Sequence, residues 1–232
     1  AWTCPRIKRL ATSRCSLLQD ALGHIEGGSD TLIHALVEAI AAKGGRVALN
    51  APAERVETAA DHVTGVRAGG AFYPADAVIS TVPTPLVARL VPDLPTAAAA
   101  RYAAIRNIGV VCVVFRLKRS VTPHFWVNIT DPRFEIPGIV EFSNLRATGD
   151  TVVYIPYYMP VTQPKFARDD AYFRDEAFGY LKLINPQLRD DDMIACTVGR
   201  LRHAQPVCPP GFLSILPPVE TAIGGLQIAD TC

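Results

Sequence analysis

The sequence predicts a mixed fold in two lobes, an α/β part followed by a β-rich α+β part with one long helix. Three observations predict it. A helix-period segment over residues 23–45 runs into a double glycine. Short β-branched runs separated by turn residues follow over 53–81. From residue 108 onward strand-like runs dominate, interrupted by one amphipathic stretch over 169–184.

Taken in order, the stretch to about residue 22 mixes basic and apolar residues (Arg6, Lys8, Arg9, Arg14) and reads as a helix. Gly27 and Gly28 supply a turn, and Ser29 or Asp30 can cap the next helix. Leu32, Ile33, Leu36, Val37 and Ile40 recur at helical spacing on one face. Gly44 and Gly45 end that helix, and 46–49 reads as a short strand. Residues 53–58, 62–67 and 71–73 read as a small meander, with Asp61 and Gly69-Gly70 in its turns. Ala77-Val78-Ile79 signals a buried strand. Its exit is 81–85, where Pro83 or Pro85 suits the first turn of a helix through Leu90. A helix follows over 97–105.

The second part opens with IGVVCVVFRL, residues 108–117, a β-branched strand. Further strands are expected at 125–129, 139–142 and 151–157. The helix over 169–184 carries Phe173, Phe178, Tyr180 and Leu181, and stops at Asn185-Pro186 because the residue before proline avoids the helical region. Late strands are expected at 194–201 and 213–216, with Pro206, Pro209-Pro210 and Pro217-Pro218 in loops.

Composition narrows the function classes. The chain has 232 residues, 49% hydrophobic and 19% charged, enough to bury a core. Twenty-three basic against 22 acidic residues argue against a nucleic-acid binder acting through bulk charge. The longest apolar stretch, 108–115, is far shorter than the roughly 20 residues of a membrane span. The six cysteines (4, 15, 112, 196, 208 and 232) form no CxxC, which points to a reducing, cytoplasmic setting. Cys112 and Cys196 read as small core hydrophobes. The five histidines lack metal-ligand spacing, so no metal is expected. No GxSxG, GxxxxGK[ST] or GxGxxG occurs, and the GG pairs at 27, 44, 69 and 224 read as turns.

Several phrases, in this order and spacing, carry a resemblance. EGGSDTLIHALVEAIAAKGGRVALNAPAERV and GVRAGGAFYPADAVISTVPTPLV are similar to the middle of the flavin amine oxidase superfamily, which includes protoporphyrinogen oxidases, phytoene desaturases and monoamine oxidases. FWVNITD, VEFSNL, VVYIPYYMP, YLKLINP and HAQPV resemble the protoporphyrinogen-oxidase-like branch, and GLQIADT resembles the strand opening its C-terminal FAD motif. The resemblance runs from about Gly23 to Asp230. It implies part of a two-lobed, Rossmann-like FAD-binding flavoprotein with a β-rich substrate lobe. Residues 1–107 would belong to the FAD lobe with its meander, 108–216 to the substrate lobe, and 217–232 to the start of the C-terminal FAD segment.

The resemblance also implies roles. Ala53 matches the residue whose backbone meets the adenine end of FAD. Thr81 and Val82 match a strand exit beside the cofactor, and Asp230 the acidic position near the ribityl-pyrophosphate, although Ala-Asp stands here where the wider family has Gly-Asp. Trp126 and Tyr157 are candidates for substrate walls, and His203 for a polar group entering the cleft. Each also has a plain structural reading: meander, turn, sheet core or surface. The implied chemistry is hydride transfer from a C–N or C–C bond of an apolar or mixed small molecule to flavin N5. A peripheral membrane contact stays open, and no catalytic residue is singled out. A flavin-dependent sugar-nucleotide mutase, needing arginines such as Arg116, Arg119, Arg200 and Arg202 to converge on a diphosphate, is one alternative. A non-catalytic binding remnant is the other. An Ala at position 1 and an end at IADTC suggest an internal piece of a chain of about 430–500 residues, expected by itself to be inactive and to hold no flavin.

Overall fold

The computed structural model describes residues 14–16, 19–20 and 25–230. The chain divides into two compact units, 1–51 and 52–232.

In the first unit β1 (Arg14–Ser16) and β2 (Gln19–Asp20) pair antiparallel. This corrects the helix expected there: Cys15 and Ser16 are weak helix formers. Arg6, Lys8 and Arg9 lie outside the described residues. The first helix, α1 (Ser29–Ala42), forms as its periodicity predicts. Its N-cap is Gly28 at φ 80°, however, and no side chain caps it. Leu32, Ile33, Leu36, Val37 and Ile40 share one face, and all five are exposed. Gly44 at φ 79° turns the chain out of the helix. Residues 46–49 form no strand. A strand needs a hydrogen-bonding neighbour; among the described residues none pairs with them, and Val47 and Leu49 are exposed.

The second unit has two apolar cores. The first gathers the meander, a parallel strand pair and two short helices. The meander is β3 (Ala53–Ala59), β4 (His62–Ala68) and β5 (Ala71–Pro74), antiparallel in that order, close to the expected bounds. The turn at Ala60-Asp61 takes both residues to positive φ, 47° and 61°, as a tight hairpin requires. β6 (Val78–Ser80) then leads to α2 (Thr84–Leu90) and α3 (Thr96–Ala104). Pro85 sits in the first turn of α2, where a missing N–H costs nothing. The last strand, β12 (Leu226–Ile228), returns to lie parallel to β6. Val56, Val63, Val87, Val91, Tyr102 and Leu226 are buried among these elements.

A loop stitches β12 to the meander. Val63 N donates to Gly224 O at 3.0 Å, Gly224 N to Asp61 O at 2.7 Å, and Val78 N to Gly225 O at 2.8 Å. Gly225 has φ 76°, and a Cβ there would lie 2.6 Å from Asp76 O. Only glycine meets both conditions without strain.

The second core sits on a five-stranded sheet ordered β11-β7-β10-β9-β8. Its strands are β7 (Asn107–Leu117), β8 (Trp126–Asn128), β9 (Gly138–Glu141), β10 (Thr151–Met159) and β11 (Met193–Pro206). Alternation along β7 buries Val111, Val113, Phe115 and Leu117 on one face, and β10 adds Val153, Ile155 and Tyr157. These pack under α4 (Asp170–Ile184), whose Phe173, Ala177, Phe178 and Leu181 point inward. Asp169 caps α4, accepting from Tyr172 N at 2.8 Å. Cys112 and Cys196 are half-buried rather than fully in the core, and burial pushes both thiols up.

The strand expected over 213–216 is instead a short helix, α5 (Phe212–Ile215). Gly211 in the left-handed region, φ 77°, starts a helical turn, and Phe212 anchors it in the interior. The flanking prolines leave no room for a ladder of strand hydrogen bonds.

Candidate functional site

The carboxyl ends of β6 and β12 meet. Their register pairs Val78 with Leu226, Ile79 with Gln227 and Ser80 with Ile228, and Ala229 N donates to Ser80 O at 2.9 Å. Beyond the carboxyl ends of parallel strands the chain must open outward into loops, which is where α/β proteins bind ligands. The exit of β6 runs through Thr81, which is exposed, and Val82, which is half-buried, into α2. Two residues after β12, the Asp230 carboxylate accepts a hydrogen bond from Thr84 N at 2.7 Å. A carboxylate here satisfies a free helix N–H and complements the helix dipole. Thr81, Val82 and Asp230 are thus brought together although they lie far apart in sequence.

Two further groups sit at this edge. Ser80 and Thr84 are 6% and 3% exposed, and neither side-chain oxygen has a hydrogen-bond partner among the described residues. A small cavity of about 60 Å³ is lined by Thr84, Tyr102, Val219, Ile228 and Asp230. Burial pushes the Tyr102 phenol up, opposed by the Arg101 guanidinium. Ala53 belongs elsewhere: it opens β3, pairs with Ala68 in the meander sheet and is exposed.

The other candidates lie on the five-stranded sheet, and strand parity divides them. Tyr157 is 1% exposed and stacks edge-on to Phe173 at 5.1 Å, inside the α4 core. It is therefore a core residue and not a wall, which corrects the expectation. Burial, and then the nearby Glu176 charge, push its phenol far up. Among the described residues its hydroxyl has no partner in bonding geometry. Tyr154 and Tyr158 occupy the opposite, uncovered face and are exposed. The pairs Thr197–Val114, Val114–Tyr154, Tyr154–Val140 and Val140–Trp126 form one row across all five strands. Trp126 therefore shares the open face with Tyr154, and it is 60% exposed. Parity relative to the apolar positions of 151–159 is the sequence signal that separates Tyr154 and Tyr158 from Tyr157. His203 lies in the bulged stretch of β11, between the Leu201–Val110 and Gln205–Ile108 pairs, and is half-buried.

A buried carboxylate steadies this face. Glu141 is fully buried and accepts from Ser120 Oγ at 2.6 Å, Thr122 N at 2.8 Å and Val121 N at 3.2 Å. Its own N–H bonds Phe125 O at 2.8 Å. Asn144 adds bonds to Thr122 O and His124 O. The loop that delivers Trp126 to the edge strand is thereby fixed. Three of the arginines named above are paired separately: Arg116 with Asp150 at 2.8 Å, Arg119 with Asp192 at 2.8 Å, and Arg200 with Asp170 at 2.5 Å. Among the described residues no helix is long and apolar enough to cross a membrane.

Residues 6–170 match the family model for flavin-containing amine oxidoreductases. The chain belongs to this family. Curated protein sequences give no match. Solved structures share its fold. An oxidoreductase from Methanosarcina mazei is 19% identical with a TM-score of 0.68, covering 88% of this chain and 49% of its own. A candidate protoporphyrinogen oxidase from Exiguobacterium sp. 255-15 is 15% identical with a TM-score of 0.71, covering 89% and 46%. A reduced UDP-galactopyranose mutase is 14% identical with a TM-score of 0.65, covering 91% and 48%. The chain spans about half the length of each of these proteins. Membership of the amine oxidoreductase family makes the fold a mixed α/β flavoprotein fold and the cofactor a flavin. The β6/β12 edge fits such a group: it combines backbone at two strand ends, buried hydroxyls that lack partners and a carboxylate.

Proposed function

We propose that this amine oxidoreductase family member is an FAD-dependent oxidoreductase, with the flavin nucleotide held along the β6/β12 edge. When bound, the flavin supplies the electron sink that accepts a hydride from a substrate C–N or C–C bond. The observation that carries this reading is the convergence of Thr81, Val82, Asp230 and two unpartnered hydroxyls at one parallel strand edge, within a chain of a flavin-containing family.

The remaining roles belong to this chain's own residues. Ala53 would meet the adenine end through backbone groups of β3. Asp230 would hold the α2 N-terminus against the β12 exit, keeping the nucleotide-side loops in place. The uncovered sheet face would form the substrate wall, with Trp126, Tyr154 and Tyr158 offering flat apolar surface and excluding water. His203, in the bulged stretch of β11, is the polar group we assign to its margin. We assign 1–107 with 217–232 to the cofactor side and 108–216 to the substrate side; from Val56 onward the buried residues of the two cores divide in the same way. A mutase-type reaction would call for converging arginines; Arg116 and Arg119 are committed to separate carboxylates, whereas Arg200, itself paired with Asp170, and Arg202 line one cleft with Arg168.

The test is anaerobic reduction. The full-length protein, mixed with a panel of amines, porphyrinogens and polyenes, is expected to lose flavin absorbance near ~450 nm with one class of substrate. Turnover of a UDP-sugar with no net electron transfer would overturn the proposal.

A further inference from the structure

Thr84 takes the cofactor reading of this edge one step further. Its hydroxyl is buried without a partner, and Thr84 lines the cavity shared with Asp230 and Tyr102. A buried hydroxyl with no hydrogen bond is unfavourable, and a native site relieves it with a ligand atom or a water. The cavity, about 60 Å³, is too small for a tricyclic ring system and has room for only a few water-sized polar groups.

Charge decides which group. A phosphate oxygen would sit against the Asp230 carboxylate and be repelled. An alcohol hydroxyl suits both neighbours: it donates to the carboxylate and accepts from the threonine. We infer that Thr84 is a cofactor-positioning residue whose hydroxyl donates to a sugar-alcohol hydroxyl of the flavin nucleotide, seated between Thr84, Asp230 and Tyr102. This rests on the flavin site proposed above. The alcohol belongs to the ribityl chain or to the adenosine ribose, which share the same chemistry.

The test compares Thr84→Val and Thr84→Ser with the wild type in the full-length protein. Val keeps the shape and removes the hydroxyl; Ser keeps the hydroxyl. The flavin-free Thr84→Val protein is expected to melt at or above the wild-type temperature, because an unpartnered polar atom has gone. Its Kd for FAD is expected to rise about tenfold, while Thr84→Ser stays near the wild type. Titrations with riboflavin and with ADP-ribose assign the source: the probe that carries the loss contains the alcohol. If Thr84→Val binds FAD as tightly as the wild type, the role of Thr84 is overturned and the flavin site stands. It is equally overturned if Thr84→Val melts lower without flavin and Thr84→Ser loses affinity alongside it, for then the residue is only structural. A wild-type protein that binds no flavin overturns the underlying site as well.

Discussion

Replacing Glu141 with Leu tests how the substrate-side sheet is held. Glu141 is fully buried and accepts three hydrogen bonds from the loop between β7 and β8. In Glu141→Leu the N–H groups of Val121 and Thr122 lose their acceptor, at roughly 1–3 kcal/mol each. Ser120 Oγ turns its single O–H to Thr122 O, 2.8 Å away, so it adds little. The larger apolar side chain returns about 1 kcal/mol. The net loss is about 3 kcal/mol, or roughly 6–12 °C in Tm for a chain of this size. Glu141→Gln keeps one acceptor oxygen and should lose about half as much. Denaturant unfolding followed by circular dichroism reads the loss. A Leu variant within about 0.5 kcal/mol of the wild type would refute the reasoning, since the loop donors would then have other partners.

Three other outcomes follow from the same structure. The Asp192 carboxyl is held below its usual range by the Arg189 N–H and then the Arg119 guanidinium; its stabilisation is complete above about pH 4 and lost as pH falls through the lowered value, so Asp192→Asn should flatten the acid limb of a stability–pH profile. An unchanged acid limb would contradict that. Tyr157→Phe removes a buried, unpartnered hydroxyl and should leave stability level or raise it by up to about 1 kcal/mol, without altering flavin affinity; a clear loss in thermal melting would mean the hydroxyl is bonded. Gly225→Ala forces a side chain onto φ 76° and to 2.6 Å from Asp76 O, and should cost about 2 kcal/mol or more by thermal unfolding; a neutral substitution would deny that the loop is fixed there.

Much of the fold was legible locally. The meander, β7, β10 and α4 carry strong periodicity or β-branched runs, and their bounds in sequence and structure nearly coincide. What sequence misjudged has physical causes. Residues 46–49 have strand composition, but a strand exists only with a neighbour. Residues 213–216 are apolar enough for a strand, yet Gly211 and the surrounding prolines favour a helical turn. Tyr157 and Tyr158 are adjacent, so a one-residue choice of parity sends one to the core and the other to the open face. The register with β7 makes that choice, and it is a long-range fact. The candidate site was half legible. The family resemblance pointed to Thr81, Val82 and Asp230, but no local signal reveals that Asp230 bonds Thr84 N across 146 positions. The unpartnered hydroxyls of Ser80 and Thr84 are invisible until burial is known.

The most direct measurement of the central claim is flavin content. The full-length protein, purified and scanned, is predicted to carry one FAD per chain, with absorbance near ~450 nm that is lost on dialysis far more readily from Asp230→Ala than from the wild type. A colourless wild-type protein that stays colourless and shows no change in melting temperature with added FAD would contradict the account.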